Sequence, residues 1–98
     1  MGESASFTWD DNKDRENRRK HGLPLRLSEL VLADPRYLDL PTRLTVSGEL
    51  RRQAIGEVGG QVLTCTYVWE ERRRAISLRP ASRKDRRAYR ATIDPSRT

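Results

Sequence analysis

Arg79, Arg51, His21 and Glu49 are the side chains of this sequence whose types suit work on a phosphodiester. An arginine fork grips phosphate oxygens bidentately. His21 is the only histidine among 98 residues, and histidine is the residue type that most readily exchanges protons at neutral pH. It stands just before Gly22, where a helix C-terminus favours the imidazolium, suited to a general acid or a phosphate ligand. Glu49 is a candidate base, although two arginines favour its ionised form and point to an electrostatic role. RNA carries its own nucleophile. Its 2′-hydroxyl attacks the adjacent phosphate if a site orients the attack, accepts a proton, stabilises the equatorial oxygens and protonates the leaving 5′-oxygen. Arginines with one or two proton-transferring groups suffice, so neither metal nor cofactor is expected. One His and one Cys also leave no zinc site of the usual composition.

Each residue has a plainer reading beside the chemical one. Arg79 ends a strand next to the opening of a helix, where backbone N–H groups also favour phosphate; it is equally a solvated strand-end arginine. Arg51 is a phosphate ligand or the salt-bridge partner of Glu49, two residues back on the same strand face. His21 is an acid or a helix cap. Lys20 is one cation among several neighbours. Ser77, Arg83, Arg86 and Arg87 extend the candidate RNA contacts, since hydroxyls reach phosphate or sugar and a basic helix tracks a backbone. Tyr89, one helical turn from Arg86, points to RNA or packs in the core, the core being the simpler reading. Phe7 and Trp9 read as core anchors, and Cys65 as buried and inert.

The elements that must position these groups follow from periodicity. Phe7-Thr8-Trp9 reads as a short edge strand. Asp10 or Asp11 caps a helix over residues 11–20, stopped by Gly22. Pro24 opens a second helix to residue 33, and Asp34-Pro35 stops it. Strands follow at 37–40, 50–58, 61–69 and 73–79. A loop covers 41–48, Gly59-Gly60 makes a two-residue hairpin, and a tight turn sits at Glu71-Arg72. Ser82-x-x-Asp85 reads as a capping box for a C-terminal helix to residue 92. The expectation is an α+β domain: two N-terminal helices, an antiparallel sheet of about four strands, and a C-terminal helix. One domain spans 1–98, with a core at about 7–92 and frayed termini.

These turns set a register. Ala54, Val58, Leu63, Cys65, Tyr67, Trp69, Ile76 and Leu78 share one face, the expected core, with Tyr67 opposite Ile76. Glu49, Arg51, Gln53, Ile55, Thr64, Thr66, Val68, Ser77 and Arg79 share the other, which is expected to be polar. A slip of one residue would exchange the faces.

The net charge of +6 argues for a polyanionic partner: nucleic acid, anionic membrane or an acidic protein. Hydrophobic and charged residues each make up 35%, a thin core under a polar shell that a bound partner would help to bury. Six aromatics, most wanted by the core, are too few for a broad single-strand platform. The lone cysteine excludes an intramolecular disulfide and fits a reducing cytoplasm. Residues 1–6 lack the apolar run of a signal peptide, and no stretch approaches the roughly 20 apolar residues of a membrane span.

Two residue sets complete the reading. The first is Phe7-x-Trp9-Asp10-x-x-Lys13-x-x-x-Asn17-x-x-Lys20-His21-Gly22. The second is Arg74-x-Ile76-Ser77-x-Arg79-x-Ala81-Ser82-x-x-x-Arg86-x-x-Tyr89. Between them stand Asp34-Pro35, Gly48-Glu49-x-Arg51 and Ile55-Gly56. Together, over nearly the whole chain, they resemble the BrnT family of bacterial type II toxins. The resemblance implies a RelE-like fold and a ribonuclease that blocks translation by cutting RNA. It also implies a BrnA-like ribbon-helix-helix antitoxin in a 2:2 complex, contacting operator DNA through the antitoxin. One departure is Thr45, near a position where family members often carry histidine. Leu50 and Arg52 stand where the family often has an acid and an aromatic. A binding module that kept the fold and lost the chemistry, taking nucleic acid or protein, is the rival reading.

Overall fold

The computed structural model describes residues 1–44 and 48–93. The chain folds as β1 (Gly2–Glu3), β2 (Phe7–Trp9), α1 (Asp11–His21), a 3-10 turn (Leu25–Leu27), α2 (Ser28–Ala33), β3 (Leu38–Leu44), β4 (Leu50–Val58), β5 (Gln61–Trp69), β6 (Arg73–Pro80) and α3 (Arg83–Ile93). The α+β class stands, but the sheet is larger than the sequence suggests. Among the described residues it has six strands in the order β1-β2-β6-β5-β4-β3. It is mixed, because β2 runs parallel to β6. The second helix is also shorter than expected, its first turn being 3-10. Thr45 and the tail from Asp94-Pro95 lie outside the described residues.

Local chemistry explains the boundaries. The Asp10 carboxylate accepts the Lys13 N–H at 3.1 Å and opens α1. Gly22 closes it at φ 69°, a left-handed conformation that glycine adopts without strain. The Asp14 carboxylate then accepts the Leu25 N–H at 2.7 Å, fixing the angle between α1 and the 3-10 turn. Gly59 and Gly60 have φ of 58° and 84° and pair Val58 with Gln61, the two-residue hairpin expected.

The β5–β6 hairpin departs from expectation in one informative way. Its turn holds three residues, since Trp69 pairs with Arg73. Tyr67 therefore faces Ala75, not Ile76, while Thr66 faces Ser77. A bulge at Ile76 absorbs the extra residue and restores the register beyond it. Ala75 takes the buried place assigned to Ile76, which is only half-buried. Trp69, also expected in the core, is exposed. The loop expected at 41–48 is partly strand, because β3 continues through Pro41 on an edge where proline costs no sheet hydrogen bond.

Two cores result. Phe7, Trp9, Leu25, Val31, Ala54, Leu63, Cys65, Tyr67, Ala75 and Leu78 fill the face under α2 and the 3-10 turn. Ile55, Ala81 and Tyr89 form a smaller cluster under α3. The second sheet face is thus not uniformly polar: Ile55, Thr64 and Val68 are buried.

At Gly56, α2 meets the sheet directly. A Cβ there would stand 2.7 Å from the Val31 carbonyl oxygen and 3.2 Å from its side chain. Backbone cannot yield as a side-chain tip does, so Gly56→Ala is expected to lower stability by about 1–3 kcal/mol, measured by urea denaturation.

Candidate active site

β2 pairs with β6 only at Arg73 and Arg74, which leaves the outer edge of β6 unpaired from Ala75 onward. Helix α1 covers that edge through one side chain. The buried Asn17 amide donates to the Leu78 carbonyl at 2.8 Å and accepts the Leu78 N–H at 3.0 Å, as a neighbouring strand would. It also donates to the Leu23 carbonyl at 2.8 Å, tying down the chain after Gly22. Asn17 belongs to the first residue set, but a polar helix residue gives no hint in sequence that it closes a sheet edge.

Docked this way, α1 and β6 enclose a cleft of about 180 Å³ lined by Lys13, Glu16, Asn17, Lys20, His21, Ile76 and Ser77. The bulge turns Ile76 towards it. Lys20 pairs with Glu16 at 2.9 Å, and that hydrogen bond holds the Glu16 carboxyl below the usual carboxylate range. His21, the last residue of α1, is exposed at the cleft. Ser77 shares a row of the outer sheet face with Thr66 and Gln53, so the cleft opens onto a half-buried polar floor.

Arg79 lies two residues beyond Ser77 on the same face and is half-buried. Its guanidinium donates to the Asp85 carboxylate at 3.2 Å. Asp85, only 12% exposed, also accepts the Thr64 hydroxyl at 2.9 Å. The Asp85 N–H donates to Ser82 Oγ, which is the expected helix cap. The acid thus sets the start of α3 and the orientation of Arg79 together.

Arg51 and Glu49 do not join this group. Arg51 pairs with Val68 and Arg79 with Thr64, four residues apart on β5 and on opposite sides of it. That separates them by roughly 13 Å along the strands and 10 Å across, so the single cradle expected from the sequence is not formed. Glu49 pairs with Arg74 at 3.1 Å. The face assignment was right for both arginines; membership of one face did not make them neighbours.

The remaining candidates separate clearly. Arg83, Arg86 and Arg87 are exposed on α3. Tyr89 is buried, and its hydroxyl donates to the Asp34 carboxylate, so it offers no surface to RNA. Burial, then Asp34, pushes the Tyr89 hydroxyl up to about 12. Burial alone would raise Asp34, but hydrogen bonds from the Glu57 N–H, Tyr89 and the Arg36 N–H outweigh it and leave the carboxyl below its ordinary value. The tether therefore loses stability as pH falls below about 4 and again as pH rises from the ordinary tyrosine value through about 12. Tyr89→Phe is expected to cost about 1.5–3 kcal/mol at neutral pH and to flatten the alkaline limb of melting temperature against pH. Cys65 is fully buried, which pushes its thiol up to about 12 and makes it no nucleophile. Among the described residues, no three His, Cys, Asp or Glu side chains group to hold a metal ion.

The two residue sets thus meet across one cleft, where Lys13, Asn17, Lys20 and His21 of the first face Ile76 and Ser77 of the second. The family model for the ribonuclease toxin, BrnT, of type II toxin-antitoxin systems matches residues 9–85, almost the same span. The chain belongs to the BrnT family. No curated protein matches it. BrnT membership makes it a ribonuclease toxin with a cognate antitoxin as partner. Among the described residues, no helix is long and apolar enough to cross a membrane.

Proposed function

We propose that this BrnT-family chain is a metal-independent endoribonuclease whose scissile phosphate binds where the α1–β6 cleft meets Arg79. The observation that carries the reading is the meeting of Lys20 and His21 from one residue set with Ser77 from the other in one cleft, with Arg79 two residues further along the same sheet face. The RNA 2′-oxygen attacks phosphorus and the bond from phosphorus to the 5′-oxygen breaks, leaving a 2′,3′-cyclic phosphate and a 5′-hydroxyl. Arg79 and Lys20 stabilise the charge on the equatorial oxygens. His21 transfers a proton, and Ser77 hydrogen-bonds phosphate or sugar. Glu16, the carboxylate within the cleft, takes the place that the sequence reading gave to Glu49. Arg51 and the exposed Arg83, Arg86 and Arg87 bind flanking phosphates. The partner is a small ribbon-helix-helix antitoxin in a 2:2 complex, and it supplies the contact with operator DNA.

Incubation of purified chain with an end-labelled single-stranded RNA tests this. Cleavage to 2′,3′-cyclic phosphate ends is expected, unchanged in excess EDTA, and about 10²–10⁴-fold slower for His21→Gln. Cleavage that stops in EDTA and returns with a divalent ion would contradict metal independence. RNA that binds but stays intact would favour the non-catalytic module.

A further inference from the structure

We propose that the exposed end of the inner sheet face, built from Trp69, Leu50 and Arg73, is the docking site of the cognate antitoxin. The occupant is an antitoxin segment that presents a carboxylate beside an apolar side chain. The proposal rests on family membership for the antitoxin's existence and on this surface for its position. Cover by α2 and the 3-10 turn stops short of this end of the sheet: Trp69 is 48% exposed and Leu50 46%. Arg51 pairs with Val68, which brings Leu50 beside Trp69, and Trp69 pairs with Arg73.

The patch is also interlocked. The Arg73 guanidinium lies 4.4 Å from the Trp69 ring centroid, and Tyr67 meets Trp69 edge-on at 5.9 Å. A tryptophan packed beside an arginine is the composition that dominates binding energy at protein interfaces. Its charge is only partly offset, by Glu29 acting from beyond salt-bridge distance. Arg52, Arg72 and Arg74 are each held by a carboxylate, whereas Arg73 has no ion pair among the described residues and its buried Nε has no hydrogen-bond partner. A carboxylate from an acidic partner would complement that charge, in keeping with the chain's net +6. RNA is the less fitting occupant, because Trp69 lies on the sheet face opposite Ser77 and its neighbour Leu50 is aliphatic.

The test co-expresses the tagged full chain with the product of the adjacent reading frame and measures affinity, melting temperature and RNA cleavage. Trp69→Ala is expected to weaken binding by at least about 30-fold, with cleavage within twofold of wild type. Leu50→Ser, which leaves the Tyr67–Trp69–Arg73 stack intact, is expected to weaken it about fivefold and keeps the test valid if Trp69→Ala is unstable. In cells both variants should stay toxic beside a partner that silences the wild type. Wild-type affinity in both variants, or an adjacent product that does not bind the wild-type chain, would overturn the proposal. So would a Trp69→Ala variant that keeps its affinity but loses RNA cleavage. A wild-type chain that binds its partner and cuts no RNA would refute the ribonuclease mechanism alone, and the affinities would still decide docking.

Discussion

Arg79→Ala is expected to slow RNA cleavage by about 10²–10³-fold, the usual effect of removing a group aimed at transition-state charge. The loss should fall on kcat. Arg79 is already oriented by Asp85, so on the proposed mechanism its donors would meet the phosphate without reorganisation. Arg79→Lys separates charge from geometry: it keeps a cation opposite Asp85 but loses the planar fork, and a loss of about tenfold or more is expected. Arg51→Ala supplies the contrast. Its position on β4, far from Arg79, predicts a rise in KM of a few-fold with little change in kcat. Single-turnover and steady-state cleavage of one defined RNA by the three variants would check this. Equal kcat losses for Arg51→Ala and Arg79→Ala would mean that the two arginines act at one phosphate after all.

Asn17→Ala is expected to be the most damaging substitution to stability, at about 3–5 kcal/mol by urea denaturation, because it orphans the buried Leu78 N–H and carbonyl together. A loss of that size is a large part of the stability of an ordinary domain. Asn17→Asp should do no better. It keeps an acceptor for the Leu78 N–H but turns a carboxylate towards the Leu78 and Leu23 carbonyls. Since Asn17 holds α1 against β6, cleavage should fall with stability. A loss below about 1 kcal/mol would mean that α1 does not depend on Asn17 to stay on the sheet edge.

What could be read from the sequence was local. Gly59-Gly60 fixed one hairpin and with it the faces of β4 and β5, because a two-residue turn leaves no freedom of register. Asp10, Gly22 and Ser82 marked helix ends through hydrogen bonds or conformations confined to a few residues. What could not be read depended on distant partners. Trp69 ends a strand in the right alternation for burial, yet no helix reaches it. Ile76 follows the same alternation, yet a bulge expels it because the turn five residues earlier is one residue longer. Asp34 reads as a helix stop, Asp85 as part of a capping box and Asn17 only as a member of the first residue set, yet each finds its main partner 21 to 61 residues away in sequence. The site was legible as two lists of residue types; which members share a cleft depended on how α1 closes the edge of β6.

The central claim is that RNA engages the α1–β6 cleft beside Arg79. Titration of the isotope-labelled chain with a single-stranded RNA made uncleavable by 2′-O-methylation, followed by amide chemical shifts, tests it most directly. The largest changes should fall on Lys20, His21, Ser77 and Arg79, with weaker ones at Arg51. Changes confined to α3 or to Leu50 and Trp69, with the cleft silent, would contradict it.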